Sequence, residues 1–154
     1  MADWTNSDGL EVRFKNPDAG PTGAGLSTMG AVKNISVDFD FATAITAAAD
    51  GHEAFIPANA YIKAATLIVI SAMTGTSGTL TIGLAQKDGT VIDADGIDAA
   101  VAQATLIASA VVKCDGALAG GTAGIGAANG YLYTSTGGTV TGGRGRLVVE
   151  YIEL

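Results

Sequence analysis

The chain has 154 residues, 48% of them hydrophobic and only 15% charged, with 15 Asp and Glu against 8 Lys and Arg for a net charge of −7. That length suits one domain able to bury about 70% of the surface its unfolded chain exposes, so neither metal nor disulfide is needed to hold a core. The acidic balance argues against a nucleic-acid binder, which draws its affinity from Lys and Arg at phosphates.

The opening MADWTNSDG has neither the basic nor the apolar region of a secretion signal, so none is expected. Trp4 falls outside any predicted strand. Leu10, Val12 and Phe14 then alternate with Glu11, Arg13 and Lys15, the period of a half-buried strand. The stretch NPDAGPTGAGLSTMG cannot sustain helix or sheet and reads as an extended arm. The expected division is therefore an N-terminal strand and arm over residues 1–30 and one β-domain over 31–154.

Ile35, Val37, Phe39 and Phe41 alternate with Ser36, Asp38 and Asp40, which predicts an antiparallel strand with one wet face. Asn34-Ile35-Ser36 also fits a glycosylation sequon, a chance match in a chain without a secretion signal. ATAITAAADGHEA is ambiguous between a short helix and a strand with a turn at Asp50-Gly51. Pro57 ends one segment, and the apolar run Ala64 to Ile70 predicts a central strand covered on both faces. No run reaches the ~18 apolar residues of a membrane helix.

Leu80, Ile82 and Leu84 predict another strand with those residues inward and Thr79, Thr81 and Gly83 outward; Lys87-Asp88-Gly89 turns the chain. The spacing of Ile97, Val101 and Thr105 permits a short helix. LIASAVVKC predicts a strand, GALAGGTAGIGAANG a loop, and Tyr131–Tyr133, Gly138–Thr141 and Arg146–Leu154 three further strands. Many short strands with at most one or two short helices predict an all-β, antiparallel β-sandwich, jelly-roll-like in its expected topology.

Candidate chemistry is sparse. Asp88, Asp93, Asp95 and Asp98 crowd one stretch, yet no register meets the calcium-loop rule of oxygen ligands at 1, 3 and 5, Gly at 6 and Glu at 12. Asp95 as a helix cap with Asp98 in the first turn is the structural reading; a looser calcium site at Asp93, Asp95 and Asp98 is the alternative. His52, the sole histidine, sits in a turn, and the sole Cys114 follows an apolar run, reading as a passive residue. No phosphate loop or dinucleotide fingerprint survives. No enzyme, no cofactor and no resident metal are expected.

The strands GLEVRF, MGAVKNISVDFDF, IPANAYIKAATLIVIS, GTLTIGLAQKDGTVIDADGIDAA and GGRGRLVVEYIEL together resemble the capsid decoration, or cement, proteins of tailed bacteriophages. The resemblance spans most of the chain. It implies a β-sandwich made in the host cytoplasm and carried on the outer capsid surface of the virion. There it would bind the major capsid protein, commonly as a homotrimer, and brace the shell, with no direct contact to nucleic acid or membrane. It carries over no catalytic residues. Trp4, Leu10, Val12 and Phe14 are the candidate capsid or subunit contacts. The alternative is a head-fibre or tail-associated module for carbohydrate or a host surface, calcium-assisted through the acidic stretch, with Tyr131 and Tyr133 on one strand face as its platform.

Overall fold

Alternation decides the first long strand. With Val37 and Phe39 buried, and Ser36 and Asp40 exposed, the computed structural model runs Lys33–Asp40 as an eight-residue strand, β3. The structure describes residues 4–5, 11–12, 32–46 and 54–153. Before β3 lie two short strands, β1 (Trp4–Thr5) and β2 (Glu11–Val12), which pair with each other antiparallel, Trp4 opposite Val12. Trp4 is thus in a strand, contrary to the sequence expectation. Residues 13–31, most of the expected arm, lie outside the described residues, as do Leu10 and Phe14.

The remaining strands are β4 (Phe55–Ile56), β5 (Tyr61–Ala85), β6 (Val91–Ala102), β7 (Val111–Lys113) and β8 (Gly130–Ile152). All their pairings are antiparallel, and their order is β3-β8-β5-β6, with β4 also on β8 and β7 also on β5. Two strands dominate. β5 and β8 pair from Tyr61–Ile152 to Ala85–Tyr131, and their register slips repeatedly between Val69 and Thr79. The first half of β5 meets β7, and the second half meets β6; the second half of β8 meets β3, and the first half meets β4.

The two halves form the layers of an antiparallel β-sandwich. Val37, Phe39, Leu67, Val69, Leu147 and Val149 of one layer share a single buried cluster with Leu80, Ile82, Leu84, Ile97 and Leu132 of the other. Each such side chain contributes about 1.5–3 kcal/mol by leaving water. Bulges make the alternation fit. Lys63 is an extra residue opposite β8, so the inward positions change from Ile62 to Ala65, Leu67 and Val69. At the corner between layers Gly143 takes φ +118°, and a Cβ there would stand 2.6 Å from the Phe41 ring. Gln103 braces the same corner: its Oε1 accepts the Gly78 N–H at 3.1 Å and its Nε2 donates to the Gly75 carbonyl at 3.2 Å.

Several expectations need correction. The run Ala64–Ile70 is covered on one face only: Leu67 is fully buried, while Ile68 and Ile70 are exposed. The expected helix around Ile97 to Thr105 is strand up to Ala102, followed by one 3-10 turn at Gln103–Thr105. Bulges, not helical turns, set its spacing: six residues of β6, Asp93 to Asp98, run against the three from Leu84 to Ile82. The three short strands expected after Gly130 are one continuous strand, and LIASAVVKC is strand only at Val111–Lys113. Ser109 takes φ +65° in the turn before it. Ile45 crosses to β8, where the Thr134 Oγ1 accepts its N–H at 2.9 Å and its carbonyl accepts the Thr134 N–H at 2.9 Å. Among the described residues no helix is long and apolar enough to cross a membrane.

Candidate functional site

The acidic stretch is taken up by the fold. Asp88 closes the hairpin between β5 and β6, its Oδ1 accepting the Thr90 N–H at 2.9 Å, which holds its carboxyl below the usual range. Asp93 and Asp95 stand on the bulge of β6, where the Asp95 N–H donates to Asp93 Oδ1 at 3.4 Å. Burial pushes the Asp93 carboxyl up, and the neighbouring Asp95 adds to the rise. Asp95 caps no helix, because it lies inside β6. The bulge itself is tied to the following loop: Gly96 and Ile97 carbonyls accept the N–H groups of Leu118 and Gly116 at 2.8 and 2.9 Å.

Asp98 is different. It is 5% exposed, turned inward beside Ile97, and it accepts the Cys114 thiol. Burial raises its carboxyl, and the charge of Asp115 raises it further. Burial, followed by the Asp98 charge, pushes the Cys114 thiol up to about 12. A thiol so held is a poor nucleophile. Asp93, Asp95 and Asp98 do not gather as ligands: among the described residues no three His, Cys, Asp or Glu side chains could hold a metal ion. His52 lies outside the described residues.

What the fold offers instead is surface. On the outer face of the first layer, Val111 of β7 stands opposite Ile68 of β5, and Ile70 follows on the same face. Val111 is 68% exposed, and Ile107, in the turn before β7, is 60% exposed. Beyond Ile68 the row continues to Arg146 of β8 and Asp38 of β3. Arg146 grips Asp38 with two nitrogens, Nε on Oδ1 and Nη2 on Oδ2, the latter at 2.9 Å, while Arg144 lies 3.9 Å from the same carboxylate. That contact lowers the Asp38 carboxyl and raises the Arg146 guanidinium. At the corner, an open apolar groove of about 650 Å³ is lined by Ala72, Met73, Gly78, Gln103, Leu106 and Ile107.

The second layer carries an aromatic ridge on its outer face. Phe55, 42% exposed, packs on Tyr131 with ring centres 5.6 Å apart, and Tyr133 is half-buried on the same face. Opposite the two tyrosines β5 has only Ala85 and Gly83. Gly83 is buried despite pointing outward, since a Cβ there would meet the Asp93 carbonyl at 2.1 Å.

Of the contact residues proposed from sequence, Trp4 and Val12 are register partners in the β1–β2 ladder; Leu10 and Phe14 lie outside the described residues. Sequence reasoning missed Ile68, Ile70, Ile107 and Val111, because a continuous apolar run reads the same whether one face or both are covered. It also missed the Asp38–Arg146 contact, whose signal was available: Asp-Phe-Asp and Arg-Gly-Arg share a spacing of two.

No protein-family model matches the chain, and no curated protein matches it. Solved structures do. A chain of the cyanophage Pam1 capsid asymmetric unit matches over 92% of this chain and 98% of its own length, with TM-score 0.56 and 18% identity. A chain of the capsid of Ralstonia phage GP4 matches over 88% and 93%, with TM-score 0.60 and 19% identity. The fold is one found in phage capsids. At such identity the likeness is one of architecture, and it covers nearly the whole of both partners.

Proposed function

We propose that the chain is a structural virion protein that binds the outer surface of a phage head, against the major capsid protein, and stabilises the shell as a homotrimer. The observation that carries the reading is the near-complete mutual coverage with chains of two phage capsids. The sandwich supports it physically. A double layer with an exposed apolar stripe at Ile68, Ile70 and Val111 supplies area for a broad contact. Repeated attachment across several subunits then raises avidity without any single tight contact. Trp4, Leu10, Val12 and Phe14 extend the contact, to the capsid or to a neighbouring subunit, as the anchor of an N-terminal arm. The protein does this work without catalysis, cofactor, nucleic acid or membrane.

The test is co-sedimentation of purified protein with empty heads built from the major capsid protein of the same genome. Binding should saturate at a fixed ratio per shell, raise the shell's disruption temperature, and weaken on deletion of residues 1–25. Failure to bind the shells would overturn the reading. A second reading, a head-fibre or tail-associated module for a sugar surface, draws on the ridge of Phe55, Tyr131 and Tyr133. Glycan binding that disappears with Tyr131→Ala, in a protein that ignores shells, would put that reading first.

A further inference from the structure

We propose that residues 114–120 form a pH-sensitive strap, closed over one side of the sandwich while Asp98 is neutral and released when Asp98 loses its proton beside Asp115. The inference goes beyond the virion reading above and does not depend on shell binding.

β7 pairs with β5 only from Thr66 to Ile68, which leaves the edge of β5 before Thr66 to another partner. The chain leaving β7 takes that edge: the Cys114 N–H donates to the Ala65 carbonyl and the Gly120 N–H to the Ile62 carbonyl, both at 3.0 Å. Between those bonds it crosses to the other layer. There the Gly116 and Leu118 N–H groups bond the Ile97 and Gly96 carbonyls on the bulge of β6. The approach is backbone on backbone, since a Cβ on Gly116 would lie 2.5 Å from the Gly96 carbonyl oxygen. Leu118 and Ala119 pack on the core cluster. Residues 114–120 therefore bridge the two layers on the side where β6 ends its sheet.

Asp98 sits at the crossing. It is buried opposite Ile82 of β5 and accepts the thiol of buried Cys114. A buried carboxylate needs a cation or several N–H donors to be tolerated. Among the described residues no Lys or Arg forms an ion pair with it. Across the ladder β5 offers the uncharged Ile82, and β6 itself carries Asp93 and Asp95 on the bulge. The strap brings Cys114 and Asp115, and the charge of Asp115 opposes ionisation of Asp98. Lys63 and Lys113, the lysines of the adjoining strands, are exposed. The closed strap is therefore built for the neutral acid.

Once ionised, Asp98 gains by reaching water. Its contacts Cys114 and Asp115 are the first residues of the strap, so lifting the strap both hydrates the carboxylate and separates the two charges. Lifting also returns Asp98 towards the ordinary carboxylate value, below the raised value of the closed state. Release is then constant below the ordinary value, grows as pH rises between the two values, and levels off above the raised one. The bonds that break all lie on one side, so the β5–β8 ladder stays formed and the opening is local.

The test reads Cys114, the sole cysteine, in the full chain. Native protein is labelled with 4,4′-dithiodipyridine at a series of pH values from the ordinary carboxylate range upward. Each rate is compared with that of the chain unfolded in urea at the same pH, so the chemistry of the thiol cancels and the ratio measures protection. Protection should stay large throughout, yet fall by up to about tenfold per pH unit above the ordinary carboxylate range and then level off. Low concentrations of urea should leave the native rate unchanged. Asp98→Asn should make protection independent of pH. Asp115→Asn, at an exposed site, should keep more protection at the high end than the natural chain does. Protection in the natural chain that ignores pH overturns the inference, as does the same fall in Asp98→Asn. An unchanged fall in Asp115→Asn overturns it even where Asp98→Asn does not fold. So does a native rate that climbs steeply with low urea, because the thiol would then be reached through global unfolding.

Discussion

Two isoleucines on one strand separate the inside of this sandwich from its outside. Ile82 and Ile70 both lie on β5, the first fully buried between the layers and the second 46% exposed on the outer face. Ile82→Ala removes three methylene-sized groups, at about 0.8 kcal/mol each in lost transfer energy, or roughly 2.4 kcal/mol. The cavity left between the layers adds to this, giving a total of about 2–5 kcal/mol. A domain of this kind has about 5–15 kcal/mol in all. The melting temperature should therefore fall by roughly 4–20 °C. Ile70→Ala removes the same atoms from a site already in water and should cost about 1 kcal/mol or less. Urea unfolding followed by circular dichroism measures both, at a concentration where further dilution no longer moves the midpoint. Equal losses would refute the reasoning, since Ile70 would then be covered and the run Ala64–Ile70 enclosed on both faces.

Three further outcomes follow from the same geometry. Gly126 takes φ +95° with open space around its Cβ position, so Gly126→Ala should cost only the backbone term, about 1–2 kcal/mol; Gly143→Ala adds the collision with Phe41 and should cost more in the same unfolding assay. Asp98 has a carboxyl raised by burial, so the folded chain holds its proton more tightly than the unfolded chain does. Its stabilising contribution is complete below the ordinary carboxylate value and is lost as pH rises through the raised folded value, so Asp98→Asn should flatten the decline in stability that sets in above the ordinary carboxylate range. Cys114, with its thiol pushed up to about 12, should resist iodoacetamide at neutral pH until the chain is unfolded; rapid labelling of the native protein, followed by mass spectrometry, would contradict its placement.

The period-two alternation made β3 legible, and Leu80, Ile82 and Leu84 legible as inward residues, because a strand open to water on one face writes that face into its sequence. The bulges were illegible. Ile97 and Val101 stand four apart and suggested a helix, yet both point inward from β6, where Ala100 takes φ +52° between them. An extra residue in a ladder shifts the alternation without leaving any mark in composition. Glycine misled in a related way. Gly137, Gly138, Gly142 and Gly143 looked like ends of strands, whereas β8 runs through all four while it turns from one layer to the other. The candidate surfaces were half legible: Tyr131 and Tyr133 were placed on a common face, but their neighbour Phe55 comes from a strand of only two residues.

The two layers are joined by more than their packed side chains. β5 and β8 each pass through both, so the covalent backbone crosses the corner twice, at residues 71–79 and again at 137–145. Two separate sheets under a pull normal to their plane would part along the greasy seam between them. Here the same pull would be taken up as tension in two strands lying side by side and laced by their own ladder. Peeling would have to undo that ladder from one end before the interior could open. Mechanical strength of this sort depends on the path of the chain, and substitutions that loosen the core would leave most of it intact.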